Sequence, residues 1–389
     1  MKVKIQNVKK LLIFFSIIFY SLNTNSVELS DSLKASVLTI SPGNELYSTF
    51  GHTAIRIKDL KNGFDIVFNY GTFDFNTPNF YFKFALGKLD YLLSVESYEG
   101  FVSSITEENR SIIEQQLNFN KDQTLKLTSL LIKNYQPENR SYRYKFFTDN
   151  CSTRVRDILV KASDDSTLLR RPNIASGYTF RELYRIYVSS MPWGKFGIEL
   201  LMGKMTDDKA GYDALFIPDN LKESIAKAFL NNRALVKNEV SIYKAIPEKN
   251  DQFWLSPLVF SIIIIFLSLI IELKSTWIKV FDKIFFIVFG ILGLFISVVC
   301  HFSEHAELNN NYVILMLLPT NIILPFLNLK FLKIYSAFAF VITFIAVLML
   351  PFVHQVTNSA IFILSFSVEV RLFSNFVNIN RLINKIHPR

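Results

Sequence analysis

Two residues could carry covalent chemistry in the first 250 positions, and each is alone of its kind there. Cys151 lies in the stretch TDNCSTRVRDIL, and His52 lies in FGHTAIRIKD; the other cysteine, Cys300, and the other histidines (301, 305, 354 and 387) all come later. Val155, Ile158 and Leu159 fall on one helical face behind an Asn-Cys-Ser-Thr cap, so a helix should begin near Cys151. A thiol at that place meets free N–H groups and the positive end of a helix dipole, which favour thiolate over thiol. The same N–H groups could hold an oxyanion. A strand-borne imidazole facing such a cysteine is the arrangement of papain-like thiol catalysis, here with His before Cys along the chain. A third group usually orients the imidazole, and the next strand offers Asn69 or Asp74. Two other readings of Cys151 stand beside the nucleophile: a small buried core residue, or half of a disulfide with Cys300.

Short strands and helices must position these groups. SVLTI reads as a strand stopped by SPGNE, HTAIRIKD as a second and DIVFNYGTF as a third, with a turn at Lys61–Gly63. Helical spacing runs over Glu107–Lys133, with Ile112, Ile113, Leu117, Leu125, Leu127 and Leu131 as the apolar face. About 220 residues suffice for an ample α+β core without a disulfide. Asn150 reads as a cap or polarising group, and Arg154 and Asp157 as braces of the helix.

The rest of the chain concerns the membrane. Half of the 389 residues are hydrophobic, 38 of them Phe, and the apolar runs concentrate after Trp254. Residues 1–26 have the form of an export signal: a basic start (MKVKIQNVKK), the run LLIFFSIIFYSL and small or polar residues at a cleavage site, an uncleaved anchor being the alternative. Residues 27–253 would then be exported. Five apolar segments follow at 255–273, 284–299, 312–327, 331–350 and 360–373, the last carrying Glu369 and Arg371. Lys and Arg mark the first and third connections and the tail, whereas CHFSEHAELNNN and PFVHQVTNS have none. By the positive-inside rule those two loops face the same side as the exported domain. The net charge of +9 is concentrated at the N-terminus and in these connections, so no basic face for nucleic acid arises.

The loop at 300–311 holds His301, Glu304, His305 and Glu307. It can be a polar cap, part of a site shared with the exported domain, or a zinc site built on His301 and His305 four residues apart. Aromatics such as Phe80, Tyr81, Phe82, Phe84, Trp193 and Phe196 can form an interfacial or acyl-binding surface, or simply core.

ISPGNELYSTFGHTAIRI, VFNYGTFDFNTPNFYFKFALG, FFTDNCSTRVRD, GIELLMGKMTDDKAGYDALFIPDNL and HFSEHAELNNNYVILMLLP together resemble the Lnb-type lipoprotein N-acyltransferases, from about Ser36 to Pro319. The resemblance implies a periplasmic domain of the permuted NlpC/lecithin:retinol-acyltransferase kind, papain-like in its site, before an all-α transmembrane domain of about five helices. It implies transfer of a fatty acyl chain to the α-amino group of a diacylated lipoprotein at the bacterial inner membrane; the acyl donor is taken as a phospholipid, another lipoprotein being the alternative. His52 and Cys151 fall on the family's catalytic pair; the third member is taken as Asn69, with Asp74 the alternative. Gly51, Tyr70, Asn150, Arg154, Asp157, Glu304 and His305 stand as supporting or substrate-side residues, and neither cofactor nor metal is implied. The competing functions are a membrane-anchored thiol hydrolase (lipid esterase or peptide amidase) and a non-enzymatic assembly or receptor protein with a structural cysteine.

Overall fold

The computed structural model describes residues 33–170, 174–247, 255–271 and 277–386. The export-signal reading of 1–26 and the boundary at 253/254 lie outside the described residues. Strand signals of alternating apolar residues produce β1 (Leu33–Ile40), β2 (His52–Asp59) and β3 (Phe64–Thr72). They continue as an antiparallel sheet with β4 (Asp90–Ser97), β5 (Ile112–Leu117), β6 (Ser141–Arg143) and a long last strand, Val236–Tyr243. The order is β6-β4-β3-β2-β1-β5 followed by that last strand, every neighbour antiparallel.

The two faces of the sheet bury different helices, as the period of two requires. Leu38, Ile40, Ala54 and Val67 pack on Phe101 and Ile105. Ala35, Val37, Ile55, Ile57 and Phe68 point the other way, onto Leu127, Leu131, Val155, Ile158, Leu159, Leu221 and Ile225. The helices concerned, in chain order, are α1 (Phe80–Ala85), α2 (Tyr98–Glu107), α3 (Lys121–Tyr135) and α4 (Cys151–Ser163), then α5 (Phe180–Tyr187), α6 (Pro192–Leu201) and α7 (Pro218–Lys227). The helix expected over Glu107–Lys133 is a correction. Its first part ends α2, its middle (IIEQQL) is strand β5, and only its last part is helical, as α3. A new helix starts at Asn120 because its side chain accepts from the Gln123 N–H while Gln123 returns a bond to the Asn120 N–H. The strand is held between β1 and Val236–Tyr243.

The membrane half begins with α8 (Pro257–Ile270) and α9 (Ile278–Phe302). The third apolar segment is broken into a short α10 (Val313–Met316) and a 3-10 stretch over Pro319–Phe326. It is followed by α11 (Leu329–Met349) and α12 (Ser359–Ile386). Among the described residues α9, α11 and the first nineteen residues of α12 are long and apolar enough to cross a membrane, and the other two apolar segments are shorter. The charged last segment is accommodated: Arg371 is fully buried and grips Asp282 of α9 through two bonds of 2.7 and 3.0 Å, as charges inside an apolar bundle must pair.

Irregular backbone at membrane depth survives only when covered by protein, and here α9 covers it. Gly290 and Gly293 lie directly against the backbone of Ile322 and the carbonyl of Leu317, where no Cβ fits. Gly293→Ala should therefore lower stability in detergent by about 1–3 kcal/mol. Gly197→Ala, which meets open space, should leave it unchanged or raised, and thermal unfolding of the two variants side by side checks this.

The two halves share one core. Phe180, Leu183, Tyr184, Leu200 and Met202 of the exported half belong to the same buried cluster as Phe286, Ile296, Met316, Leu364 and Val368 of the membrane half. A polar seam runs beside it. Asn311 donates to the carbonyls of Leu200 and Leu201, at 2.8 and 3.1 Å. Asn358 donates to Glu199 at 2.6 Å, and Trp193 donates to the Leu255 carbonyl at 2.8 Å.

Candidate active site

His52 opens β2 immediately after Gly51, whose φ of 77° is open to glycine at little cost. A side chain there would also press on the Ile40 carbonyl. Cys151 is the first residue of α4, as its cap signals anticipate. Asn150 is that cap: its Oδ1 accepts from the Thr153 N–H at 2.9 Å, and its Nδ2 donates to the carbonyls of Phe146 and Phe216 at 2.9 and 2.8 Å. The buried Asn150 is thereby spent on holding the helix start.

Imidazole and thiol meet across the end of the sheet, over Gly71. This residue is the extra one of a bulge between β3 and β4, at φ 91°. A Cβ there would stand 3.8 Å from both the Cys151 Cβ and the His52 Cε1. His52 Nε2 is 2.6 Å from Asn69 Oδ1. An amide oxygen only accepts, so Nε2 carries the hydrogen and Nδ1 is left for the thiol. Burial pushes the His52 imidazole down, but the charge and hydrogen bond of Cys151, then Asn69, outweigh it and the net shift is upward. Burial likewise pushes the Cys151 thiol up, yet His52 and the backbone N–H groups of Thr53 and Ser152 bring it below the ordinary thiol value. Each group thus favours the charged form of the other.

Of the two candidates for the orienting group, Asn69 is the one in contact. Asp74 is exposed and bonds the backbone and side chain of Asn76 at 2.9 Å. Glu96 on β4 is not singled out by its sequence context. It lies diagonal to Asn69 in the β3–β4 register, where burial holds its carboxyl above the ordinary value and Asn69 and His52 pull it back down. The signal exists only as strand register, which the residues of β4 do not announce.

The other expected residues fall into two groups. Arg154 forks onto Asp149 at 2.6 and 2.9 Å and lies 3.5 Å over the Tyr142 ring. Asp157 pairs with Arg156 at 2.7 Å, and buried Tyr70 accepts from Asn134 at 2.8 Å. All three serve the walls behind the thiol. Glu304 is exposed, and its backbone N–H donates to the Leu86 carbonyl at 2.9 Å. His305 reaches the site region itself. Its Nε2 donates to the Phe84 carbonyl at 3.2 Å and its Nδ1 faces the Glu307 carboxylate at 3.3 Å. Burial disfavours its charge, but Glu307 prevails and raises its proton affinity. α9 ends at Phe302, so His301 and His305 do not share a helical face, which removes the premise of the zinc reading. The disulfide reading also fails: both cysteines are free, and Cys300 sits against the Leu201 carbonyl and Asn311.

Cys151 and His52 open on an apolar cavity of about 250 Å³. Its walls come from both halves: Tyr47, Phe73, Tyr91 and Tyr144 from the sheet domain, Leu201 and Met202 from the seam, and His305, Glu307 and Leu308 from the loop after α9 in the membrane half. That loop thus does contribute to a shared site. Of the aromatics expected at an interface, Phe80 is buried while Phe82, Phe84 and Trp193 are exposed. An activated thiol at the end of an apolar, two-sided cavity is suited to acyl transfer from an apolar ester or amide.

Residues 20–185 match the family model described as the Lnb N-terminal periplasmic domain, and residues 248–382 match the one described as the Lnb transmembrane domain. No curated protein and no solved structure matches the chain.

The pairing of Cys151 with His52 predicts a distinctive pH profile for alkylation of the thiol by a soluble reagent. The rate should rise with pH through a midpoint below the ~8.5 of an ordinary cysteine. In His52→Ala the largest influence opposing burial is gone and only the N–H groups of Thr53 and Ser152 remain, so the midpoint should move upward. The rate at neutral pH should then fall at least about ten-fold, because the thiolate fraction drops by a factor of about ten for every pH unit the midpoint rises. Asn69→Ala should move the midpoint in the same direction by less, and Asp74→Ala should leave it in place.

Proposed function

This chain belongs to the Lnb family, and from that premise we propose that it is a membrane-bound lipoprotein N-acyltransferase. It moves a fatty acyl chain, through a thioester on Cys151, to the α-amino group of the diacylglyceryl-cysteine of lipoproteins. The observation that carries this reading is the Cys151–His52–Asn69 arrangement at the end of an apolar cavity that the membrane half helps to close. We place the enzyme as a multi-pass protein of the bacterial inner membrane, with residues 27–253 on the periplasmic side.

The reaction follows from the residue types. The Cys151 thiolate attacks the ester carbonyl of a phospholipid, and the oxyanion forms beside the first turn of α4, whose leading N–H groups have no intrahelical acceptor. The C–O bond breaks, the departing alkoxide takes the proton from the His52 imidazolium, and lysophospholipid leaves a thioester behind. The lipoprotein amine then attacks that thioester, His52 receives the amine proton, and the C–S bond breaks to give the amide and regenerate the thiolate. Asn69 holds the imidazole through both steps. The apolar lining keeps water scarce around the thioester, which favours the amine over hydrolysis.

Mixing the protein with phospholipid alone should leave one fatty acyl chain on Cys151, visible by mass spectrometry of the intact protein and removed by hydroxylamine. Adding a diacylated lipopeptide should discharge it and add the same mass to the peptide's N-terminus. Cys151→Ser should show neither event. An unmodified Cys151 in the first experiment, or discharge to free fatty acid only, would overturn the reading.

A further inference from the structure

Around the mouth of the cavity, large apolar side chains stand in the open. Leu46, Tyr47, Phe75, Phe82 and Phe84 are 45 to 64 % exposed. Tyr47, Phe75 and Phe84 belong to one surface, Leu46 lines the cavity beside them, and Phe82 projects from the same short helix α1. Tyr47 meets Phe73 and Phe75 edge-on at 6.0 and 6.2 Å, Phe73 and Phe75 are 4.9 Å apart, Phe75 lies 4.9 Å from Phe80, and Phe80 stacks on Phe84 at 6.4 Å. Tyr47, Phe73 and Phe84 also line the cavity itself. The other exposed apolar residues of the sheet domain, such as Leu60, Ile132, Phe229 and Val240, come from separate elements. A contiguous apolar surface of this kind needs a covering.

What covers it is indicated by how it is fastened. α1, which carries Phe82 and Phe84, would end with unsatisfied carbonyls. The loop that directly follows α9 satisfies them: Ser303 Oγ donates to Ala85 at 3.2 Å, the Glu304 N–H to Leu86 at 2.9 Å and His305 Nε2 to Phe84 at 3.2 Å. α9 is 25 residues long, or roughly 37 Å at the usual rise, against a hydrocarbon core of about 30 Å. Its exported end therefore reaches the headgroup level, and α1 is tied there. α6 is tied to the membrane half as well, with Trp193 bonded to the Leu255 carbonyl and 5.7 Å from Phe260 of α8, and Leu46 lies beside Gly194 of this helix. Aromatic rings between two such anchor points match the usual population of a membrane interface.

We propose that the aromatic lip formed by Tyr47, Phe75, Phe82 and Phe84 is seated in the outer leaflet of the bilayer and is the lateral door through which a lipid acyl chain reaches Cys151. The occupant is the bilayer itself, and the identity of the passing chain rests on the acyltransfer reading above. The chain moves from hydrocarbon to lip to cavity along continuous apolar surface, so no methylene has to enter water on the way. The headgroup and glycerol stay outside at the level of α1, and only the reacting carbonyl needs to arrive beside the thiol.

The location is tested without any turnover. The full chain carrying Cys151→Ser and Cys300→Ser is reconstituted in phosphatidylethanolamine/phosphatidylglycerol vesicles with one spin label, at Phe75→Cys, Phe82→Cys or, as a distal control, Ile132→Cys. Labels at 75 and 82 should be relaxed more by oxygen than by a water-soluble nickel chelate, and the label at 132 the reverse. Nickel dominance at all three positions overturns the proposal. The door is tested with Cys151 present: Phe82→Asp and Phe75→Asp should slow acylation of Cys151 by vesicle lipid at least ten-fold while its alkylation by a small soluble reagent changes less than two-fold. Unchanged acylation in both variants overturns the door. Absence of acylation in the unsubstituted protein would instead sink the acyltransfer reading and leave the leaflet measurement to decide the lip.

Discussion

Glu199 is a carboxylate with no exposure to water, and the joint between the two halves of the molecule depends on it. Arg185 of the sheet domain reaches it at 2.5 Å, and Asn358, one residue before α12 of the membrane half, donates to it at 2.6 Å. Burying a charge is tolerable only with such partners, and removing one partner of a buried pair costs about 3–5 kcal/mol. The same seam holds Arg181 on Asp207 at 2.8 Å, with the Val356 N–H donating to Asp207 at 3.2 Å. Together with the shared apolar core it turns two folding units into one body. The cavity needs this rigidity, because Leu201 and Met202 reach it from the seam and His305 and Leu308 reach it from the loop between α9 and α10.

The buried dyad places its own demand on the surroundings. A thiol and an imidazole drawn away from water are tolerated only if their remaining donors and acceptors are satisfied. Here the N–H groups of Thr53 and Ser152 favour the thiolate form of Cys151, and His52 Nε2–H donates to Asn69 Oδ1 at 2.6 Å, with Glu96 diagonal to Asn69 on the next strand. Each of these comes from a different element: β2, α4, β3 and β4. The sheet is thus the ruler of the site, and the bulge at Gly71 opens the gap that Cys151 and His52 both border.

Much of this is legible in the order of residues, and the reasons for the exceptions are physical. His52–Asp59 and Phe64–Thr72 are readable as strands because short apolar runs such as Ala54–Ile55 and Ile66–Phe68 are bounded by turn residues; one face packs on α2 and the other on α4, so the apolar residues run on more than they alternate. The start of α4 is readable because Asn150 and Thr153 form a local, reciprocal cap. IIEQQL reads wrongly as helix because its apolar residues at 112, 113 and 117 also fit a helical face. Only the long-range pairing with β1 and with Val236–Tyr243 decides for a strand. The choice between Asn69 and Asp74 is open in the sequence for a similar reason. His52 and Asn69 share a sheet face by register, whereas Asp74 lies past the end of β3 and turns onto its own loop. Glu96 has no local signature at all, since its contact crosses two strands.

The membrane half shows the same division between local and non-local signals. Hydropathy locates all five apolar segments but cannot tell that 312–327 is interrupted, with Pro319 and Pro325 in its second part. A free-standing break at that depth would strand backbone groups in hydrocarbon. It persists because Gly290 and Gly293 let α9 lie against it. That close packing has a consequence at the exported end of α9. A helix fixed along its length by glycine contacts delivers Ser303–His305 to a defined height, and those residues cap α1 and wall the cavity. The glycines deep in the bilayer and the thiol outside it are therefore linked through one rigid helix. A site built from both halves depends on that linkage, since a displacement of about 1 Å in a bound group can cost two orders of magnitude in rate.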